Sequence, residues 1–160
     1  MAEARIFDVL KKEHDRQRTL LEQIAETTGD SEERRTLFET LRKELQAHAA
    51  AEEESLYATM LADPDLRDEA RHSVSEHKEV DDMLGELVEA DMATGGWLTR
   101  FKSLRERYLH HIDEEEEEMF PSAAEAFDNK TEAALGSLFR RRKPDELDRA
   151  EAEMPGDARE

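Results

Sequence analysis

Two halves of this chain repeat each other 63 residues apart, and the repeat includes residues that a buried core rarely accepts. His14 recurs as His77, His48 as His111 and Glu52 as Glu115. Apolar positions follow the same shift. Phe38 and Leu41 recur as Phe101 and Leu104, Leu21 and Ile24 as Leu84 and Leu87, and Leu56 and Tyr57 as Met119 and Phe120. The apolar residues keep helical spacing, so each half reads as a helical hairpin. Two such hairpins packed about a pseudo-two-fold axis predict an all-α, up-down-up-down four-helix bundle.

The breaks support this reading. Helix 1 is expected from about Ala4 to Thr27, ended by Gly29 and Asp30. Helix 2 follows from Ser31, a helix-start residue, to about Leu61, where Asp63-Pro64 stops it. Helix 3 is expected over 65–92, and Gly95-Gly96 separates it from helix 4, which begins near Trp97. Pro121 is expected to end or kink helix 4. A short C-terminal helix over 131–141 is expected to pack on one end of the bundle. Residues 1–143 then form one domain, and 144–160 a flexible polar tail.

The phase of the pattern decides which polar residues point inward. Counting back from His111 by 3, 7 and 10 gives Tyr108, Leu104 and Phe101; from His48 it gives Leu45, Leu41 and Phe38. His48 with Glu52, and His111 with Glu115, are spaced i,i+4 and share one helix face. Both pairs therefore lie on apolar stripes. Four imidazoles and two carboxylates in a dry core are costly unless something compensates them. A multivalent metal site does so, and six donors with two-fold repetition call for two ions. Imidazole with carboxylate suits iron, manganese or zinc. A structural zinc site would be mononuclear and four-coordinate. None of the four inward His has a Glu three residues before it, unlike the Glu-x-x-His of ferritin-like centres.

Competing registers fall on wet faces. His110 with Glu114 also has i,i+4 spacing, but Arg107, Glu106 and Ser103 precede His110 on that face. His110 and His72 are therefore expected at the surface. In the acidic run 113–118, all but Glu115 read most simply as a solvated face. Such a run also has the composition of a loose cation trap.

The order His14, His48-Ala-Ala-Ala-Glu52, His77, His111-Ile-Asp-Glu-Glu115, followed by Met119-Phe120-Pro121, resembles the hemerythrin-like (HHE cation-binding) family over roughly residues 5 to 141. The resemblance implies two non-heme irons with a bridging oxo or hydroxo group. Glu52 and Glu115 would bridge the irons, and His14, His48, His77 and His111 would be terminal ligands. Glu13 and Glu76, each beside a ligand, are expected at the surface or behind the ligands.

The oxygen carriers of that family have a fifth His, one turn from the helix 3 ligand. Here those positions are Ser73 and Asp81. Two six-coordinate irons would then keep two open positions rather than one. Tyr57, Tyr108, Asp81 or His72 are candidates to fill one, with Tyr108 the better-placed phenol. The expected function is a di-iron protein reacting with O2, peroxide or nitric oxide. The alternatives are a di-iron enzyme for peroxide or nitric oxide reduction or iron-centre repair, and a structural bundle with adventitious metal.

Charge and composition narrow the partners. Lys and Arg total 23 against 42 Asp and Glu, a net charge of −19, which disfavours nucleic acid. The basic run 140–143 reads as complementarity to a helix C-terminus. There is no Cys, so disulfides and thiolate sites are excluded. No stretch has the length of a membrane span, no signal-peptide pattern opens the chain, and a cytoplasmic protein is the default.

Overall fold

The computed structural model describes residues 5–156, so the expected helix start at Ala4 and the tail residues 157–160 lie outside the described residues. Among the described residues the chain forms five helices and no strand. Helix α1 is Ile6–Ala25. Helix α2 runs Glu32–Glu52, passes through a π-helical turn at Glu53–Tyr57 and ends with Ala58–Leu61. Helix α3 is Arg67–Glu89. Helix α4 runs Gly95–Glu114, passes through a second π-helical turn at Glu115–Met119 and continues as Phe120–Ala126. Helix α5 is Asn129–Ala152.

Helices α1 to α4 form a ring in which each packs on its sequence neighbours and α4 returns to α1. This is the expected up-down-up-down bundle. None of the helices is long and apolar enough to cross a membrane. The starts of α2 and α5 follow from local chemistry. Ser31 accepts a hydrogen bond from the Arg34 amide, and Asp128 accepts one from the Thr131 amide. Asp63 shapes the break before α3 by accepting the Asp65 amide on its own carboxylate.

The core has two apolar zones. One holds Ile6, Leu10, Leu56, Met60, Phe120 and Phe139. The other holds Leu21, Leu41, Leu84, Trp97, Phe101 and Leu104. The inward His and Glu residues form a polar belt between them. At the far end of the second zone Arg34 is buried. Its guanidinium donates to the Thr27 and Met92 carbonyls and the Thr27 hydroxyl, and lies 4.8 Å from the Trp97 ring centre. It thereby satisfies carbonyls at the end of α1 and after α3.

Two expectations change. Pro121 neither ends nor breaks α4, because it follows directly on the π-helical turn, where the hydrogen-bond ladder has already changed register. The final helix is also longer than the expected 131–141 and runs through Pro144 to Ala152. The boundary placed after Lys143 thus falls inside a helix, and residues 144–152 are packed rather than a loose tail. Tertiary contacts outweigh the proline. Arg42 is buried and donates to the Ala150 and Glu153 carbonyls at 2.9 and 3.3 Å, and Gln46 adds a second donor to Glu153. The basic run therefore sits mid-helix. Arg142 pairs with Glu54, and Lys143 donates to Glu13 and Glu44.

Arg42→Met should release the end of α5. Amide exchange over residues 145–152 should accelerate about tenfold or more, the equivalent of ~1.5 kcal/mol of lost hydrogen bonding. Amides of α3 and α4 should hold. Uniform acceleration across the bundle would instead make Arg42 a support of the whole core.

Candidate metal centre

Each hairpin contributes one face to the belt. His14 comes from α1 and His77 from α3, while the i,i+4 pairs His48/Glu52 and His111/Glu115 come from α2 and α4. All six are buried. The two imidazoles of each half lie together, with ring centres 5.2 Å apart for His14 and His48 and 4.8 Å for His77 and His111. The carboxylates lie between the halves. Glu52 Oε1 is 3.5 Å from His48 Nε2 and 3.3 Å from His77 Nε2. Glu115 Oε1 is 3.2 Å from His111 Nε2 and 3.6 Å from His14 Nε2.

The hydrogen bonding separates the two nitrogens of every ring. Each Nδ1 meets a carboxylate: His14 with Glu116 at 2.7 Å, His48 with Glu13 at 2.9 Å, His77 with Glu53 at 2.8 Å and His111 with Glu76 at 2.8 Å. An ionised carboxylate only accepts, so Nδ1 carries the hydrogen and, in the neutral ring, Nε2 keeps its lone pair. All four Nε2 atoms, both Glu52 oxygens and Glu115 Oε1 are buried with no hydrogen-bond partner. Unsatisfied polar atoms at this density are not tolerated in a core without a ligand. Seven such atoms from six residues converge on one belt, and His14, His48 and Glu52, and separately Glu52, His77 and His111, place donor atoms within 4.8 Å of one another. This is the donor chemistry of a metal site whose rings are oriented from behind by carboxylates.

These four carboxylates obey the same repeat. Glu13 and Glu76 are 63 apart, as are Glu53 and Glu116. Glu13 and Glu76 lie behind the rings of His48 and His111. Phasing passes over Glu53 and puts Glu116 on a solvated face, but Glu116 is only 21% exposed and meets the buried His14 ring, which corrects that expectation. Both are brought round by the π-helical turns that begin at or next to the inward glutamates.

The same turns reassign the phenols. Tyr57, five residues after Glu52, is fully buried, stacks on His77 at 5.2 Å and donates to Glu115 Oε2 at 2.6 Å. Tyr108, the expected choice, instead donates to Gln17, whose amide donates to Glu44. Burial, reinforced by the Glu115 and Glu52 charges, holds Tyr57 well above the ordinary phenol range, so it remains a proton-bearing donor. Ser73 is buried and directs its hydroxyl toward Met119 Sδ at 3.9 Å. Asp81 accepts the Gly156 amide. His72 and His110 are exposed, at 57% and 66%, as their phase predicts.

Comparison with known proteins agrees with this geometry. The profile of the Hemerythrin HHE cation binding domain matches residues 5–123. The chain belongs to this family. It is 30% identical to the uncharacterized protein Rv2633c of Mycobacterium tuberculosis over 116 residues, which is 72% of this chain and 70% of that protein. The uncharacterized protein Mb2666c of Mycobacterium bovis matches equally well. The crystal structure of a hemerythrin HHE cation binding domain-containing protein from Mycobacterium kansasii, a homologue of Rv2633c, superposes with a TM-score of 0.81 at 28% identity. It covers 95% of this chain and 91% of that one.

Without metal, the HHE belt becomes an ion-pair network. Burial opposes charge on His48, but Glu13 and Glu52 outweigh it and raise the ring to about 10. Burial likewise opposes charge on His111, which Glu115 and Glu76 raise to about 10. Burial opposes ionisation of Glu13, yet His48 and Lys143 bring it down to about 2. A raised imidazole stabilises the fold fully below its unfolded value of 6.5 and ceases to do so as pH climbs toward 10. A lowered carboxyl stabilises above 4.5 and ceases to do so as pH falls toward 2. Urea unfolding of chelator-treated protein should therefore show greatest stability between these limits, with a steady decline from pH 6.5 to 10. A flat profile over that alkaline range would contradict the network.

Proposed function

We propose that this HHE domain is a non-heme di-iron protein that reacts with O2 or a related small oxidant, peroxide or nitric oxide. The observation that carries the reading is the set of seven buried, unpartnered donor atoms arranged with the symmetry of the repeat. His14 and His48 would hold one ion, and His77 and His111 the other. Glu52, with both oxygens free, would bridge them. Glu115 would contribute Oε1 and the remaining lone pair of Oε2. Nitrogen and carboxylate donors without thiolate suit iron, which supplies one-electron chemistry with oxygen species.

Two features favour redox turnover over reversible oxygen storage. The fifth-His position is Ser73, so one fewer imidazole fills the coordination sphere. Tyr57 holds a proton at Oη, beside Glu115, where a reduced oxygen product would need one. A cavity of about 370 Å³ reaches His48 and His77 past Leu45, Val80, Leu84 and Tyr108. Its wall mixes those side chains with the charged Glu53, Lys78, Glu146 and Arg149, and its volume suits a small ligand.

Metal analysis of freshly purified protein, with spectra under air and under reductant, tests the centre. Two irons per chain and near-ultraviolet absorption of a coupled ferric pair are expected. Glu52→Ala with Glu115→Ala should abolish binding of the pair, whereas His110→Ala should not. Two irons retained without either carboxylate would refute the assignment. Tyr57→Phe should keep both irons, since the repeat already places Phe120 against His14 in the equivalent stack at 6.0 Å. Its reaction with peroxide should slow about 100-fold, the scale of a lost proton donor. An unchanged rate would leave Tyr57 a packing residue.

A further inference from the structure

The two halves of the bundle differ most on the face behind Glu13 and its repeat partner Glu76. In the first half that face is closed. Helix α5 covers it, and Lys143 Nζ donates to Glu13 Oε1 at 2.6 Å while also binding both Glu44 oxygens. A resident cation thus sits on the carboxylate that orients His48. In the second half the fifth helix has no counterpart among the described residues. A cavity of about 360 Å³ opens there, lined by Asp68, Glu69, His72, Glu114 and Glu118 at its outer part. Its inner wall includes His111 and Glu115, whose Nε2 and Oε1 atoms are buried and unpartnered.

Three donors converge at this opening. His72 Nε2 lies 3.5 Å from Glu76 Oε2 and 3.4 Å from Glu114 Oε1. The three donor atoms all lie within 4.8 Å of one another. Donors spaced in this way surround a point about 2.0–2.4 Å from each, close to the bond length of a transition metal to imidazole or carboxylate. One imidazole with two carboxylates selects a divalent transition metal over an oxygen-seeking ion such as Ca²⁺.

The cluster does not come from the repeat. The residues 63 before His72, Glu114, Asp68 and Glu118 are Val9, Ala51, Arg5 and Ser55. Only Glu76 has an acidic counterpart, Glu13, and that one is paired with Lys143. The open face thus carries an exposed imidazole and acids at positions where the covered face has none, while the covered face's own cluster of Glu13, Glu44 and His48 is already met by Lys143.

We propose that His72, Glu76 and Glu114 form an outer site for a divalent transition-metal ion, the first stop on the route into the buried centre. This rests on the metal-centre reading above. The acidic rim concentrates cations from solution. The outer ion exchanges water for His72, Glu114 and Glu76 Oε2, then moves along the cavity toward His111 Nε2 and Glu115 Oε1. Glu76 links the two sites, because its Oε1 accepts from His111 Nδ1 at 2.8 Å while Oε2 faces His72.

Two measurements test the proposal. Substoichiometric Mn²⁺ added to the purified protein should broaden the ring resonances of His72 ahead of those of the four buried imidazoles. Tenfold excess Ca²⁺ should not reverse it. Absence of broadening at His72, or full displacement by Ca²⁺, would overturn the outer site. In the second, Co²⁺ is mixed with metal-free protein in stopped flow. His72→Ala with Glu114→Gln should slow filling of the buried centre at least tenfold and remove most of its salt dependence. The final Co²⁺ spectrum should be the same as that of the unaltered protein. Equal filling rates would overturn the route. Broadening at His72 with no Co²⁺ uptake by the buried centre in either protein would defeat the metal-centre reading and the route, and leave the outer site standing.

Discussion

Every other feature of this bundle has to accommodate the burial of four imidazoles in one belt. A buried ring must have both nitrogens answered, or the desolvation of each unanswered one counts against folding. Here one nitrogen of each ring is answered by a carboxylate, and the other is left facing the belt's centre. The carboxylates fix ring orientation and tautomer together. They also raise the basicity of the imidazoles, which strengthens them as ligands. Because the four carboxylates come from α1, α2, α3 and α4, the belt ties all four helices of the ring to one another.

The π-helical turns are the local device that makes this possible. An unbroken α-helix through Glu52 would present Leu56 next on the inward face. The wider turn at Glu53–Tyr57 adds Tyr57 to that face and carries Glu53 to His77. The turn at Glu115–Met119 does the same for Phe120 and Glu116. Wide turns are rare and locally unfavourable, and they recur at functional sites. Here each begins at or just after an inward glutamate and supplies a carboxylate for a ring of the opposite hairpin. The π-helical turns therefore stitch the halves together across the pseudo-two-fold axis.

This explains what could be read from the residues and what could not. The bundle, the inward faces of His48/Glu52 and His111/Glu115 and the exposure of His110 all follow from apolar phase, which persists as long as the helix is regular. Apolar phase alone passes over Glu53, puts Glu116 on a solvated face and ranks Tyr57 behind Tyr108, because a π-helical turn changes the phase and no residue type announces it. Their one available signal was the repeat itself, since Glu53 and Glu116 align at the same shift as the inward residues. Local propensity stops helix α5 short, because Pro144 opposes helix where it stands. What carries it through is distant in sequence: Arg42 on its terminal carbonyls, and Glu13 and Glu44 on Lys143. Such contacts override propensity and leave no mark near the proline.

Duplication also frames how the halves have diverged. Identical hairpins would give two equal faces and an equal environment for each ion. The fifth helix breaks that equality by packing chiefly on α1 and α2. It sets Phe139 against His48, with ring centres 5.6 Å apart, and a lysine against Glu13. The other side keeps its acids and stays open to solvent. Tyr57 and Phe120 differ in the same sense, because the hydroxyl present at one position is missing at the other. Glu115 is therefore hydrogen-bonded where Glu52 is not. The two sides of the belt thus differ in their surroundings, one set against the fifth helix and its lysine, the other against an acidic opening.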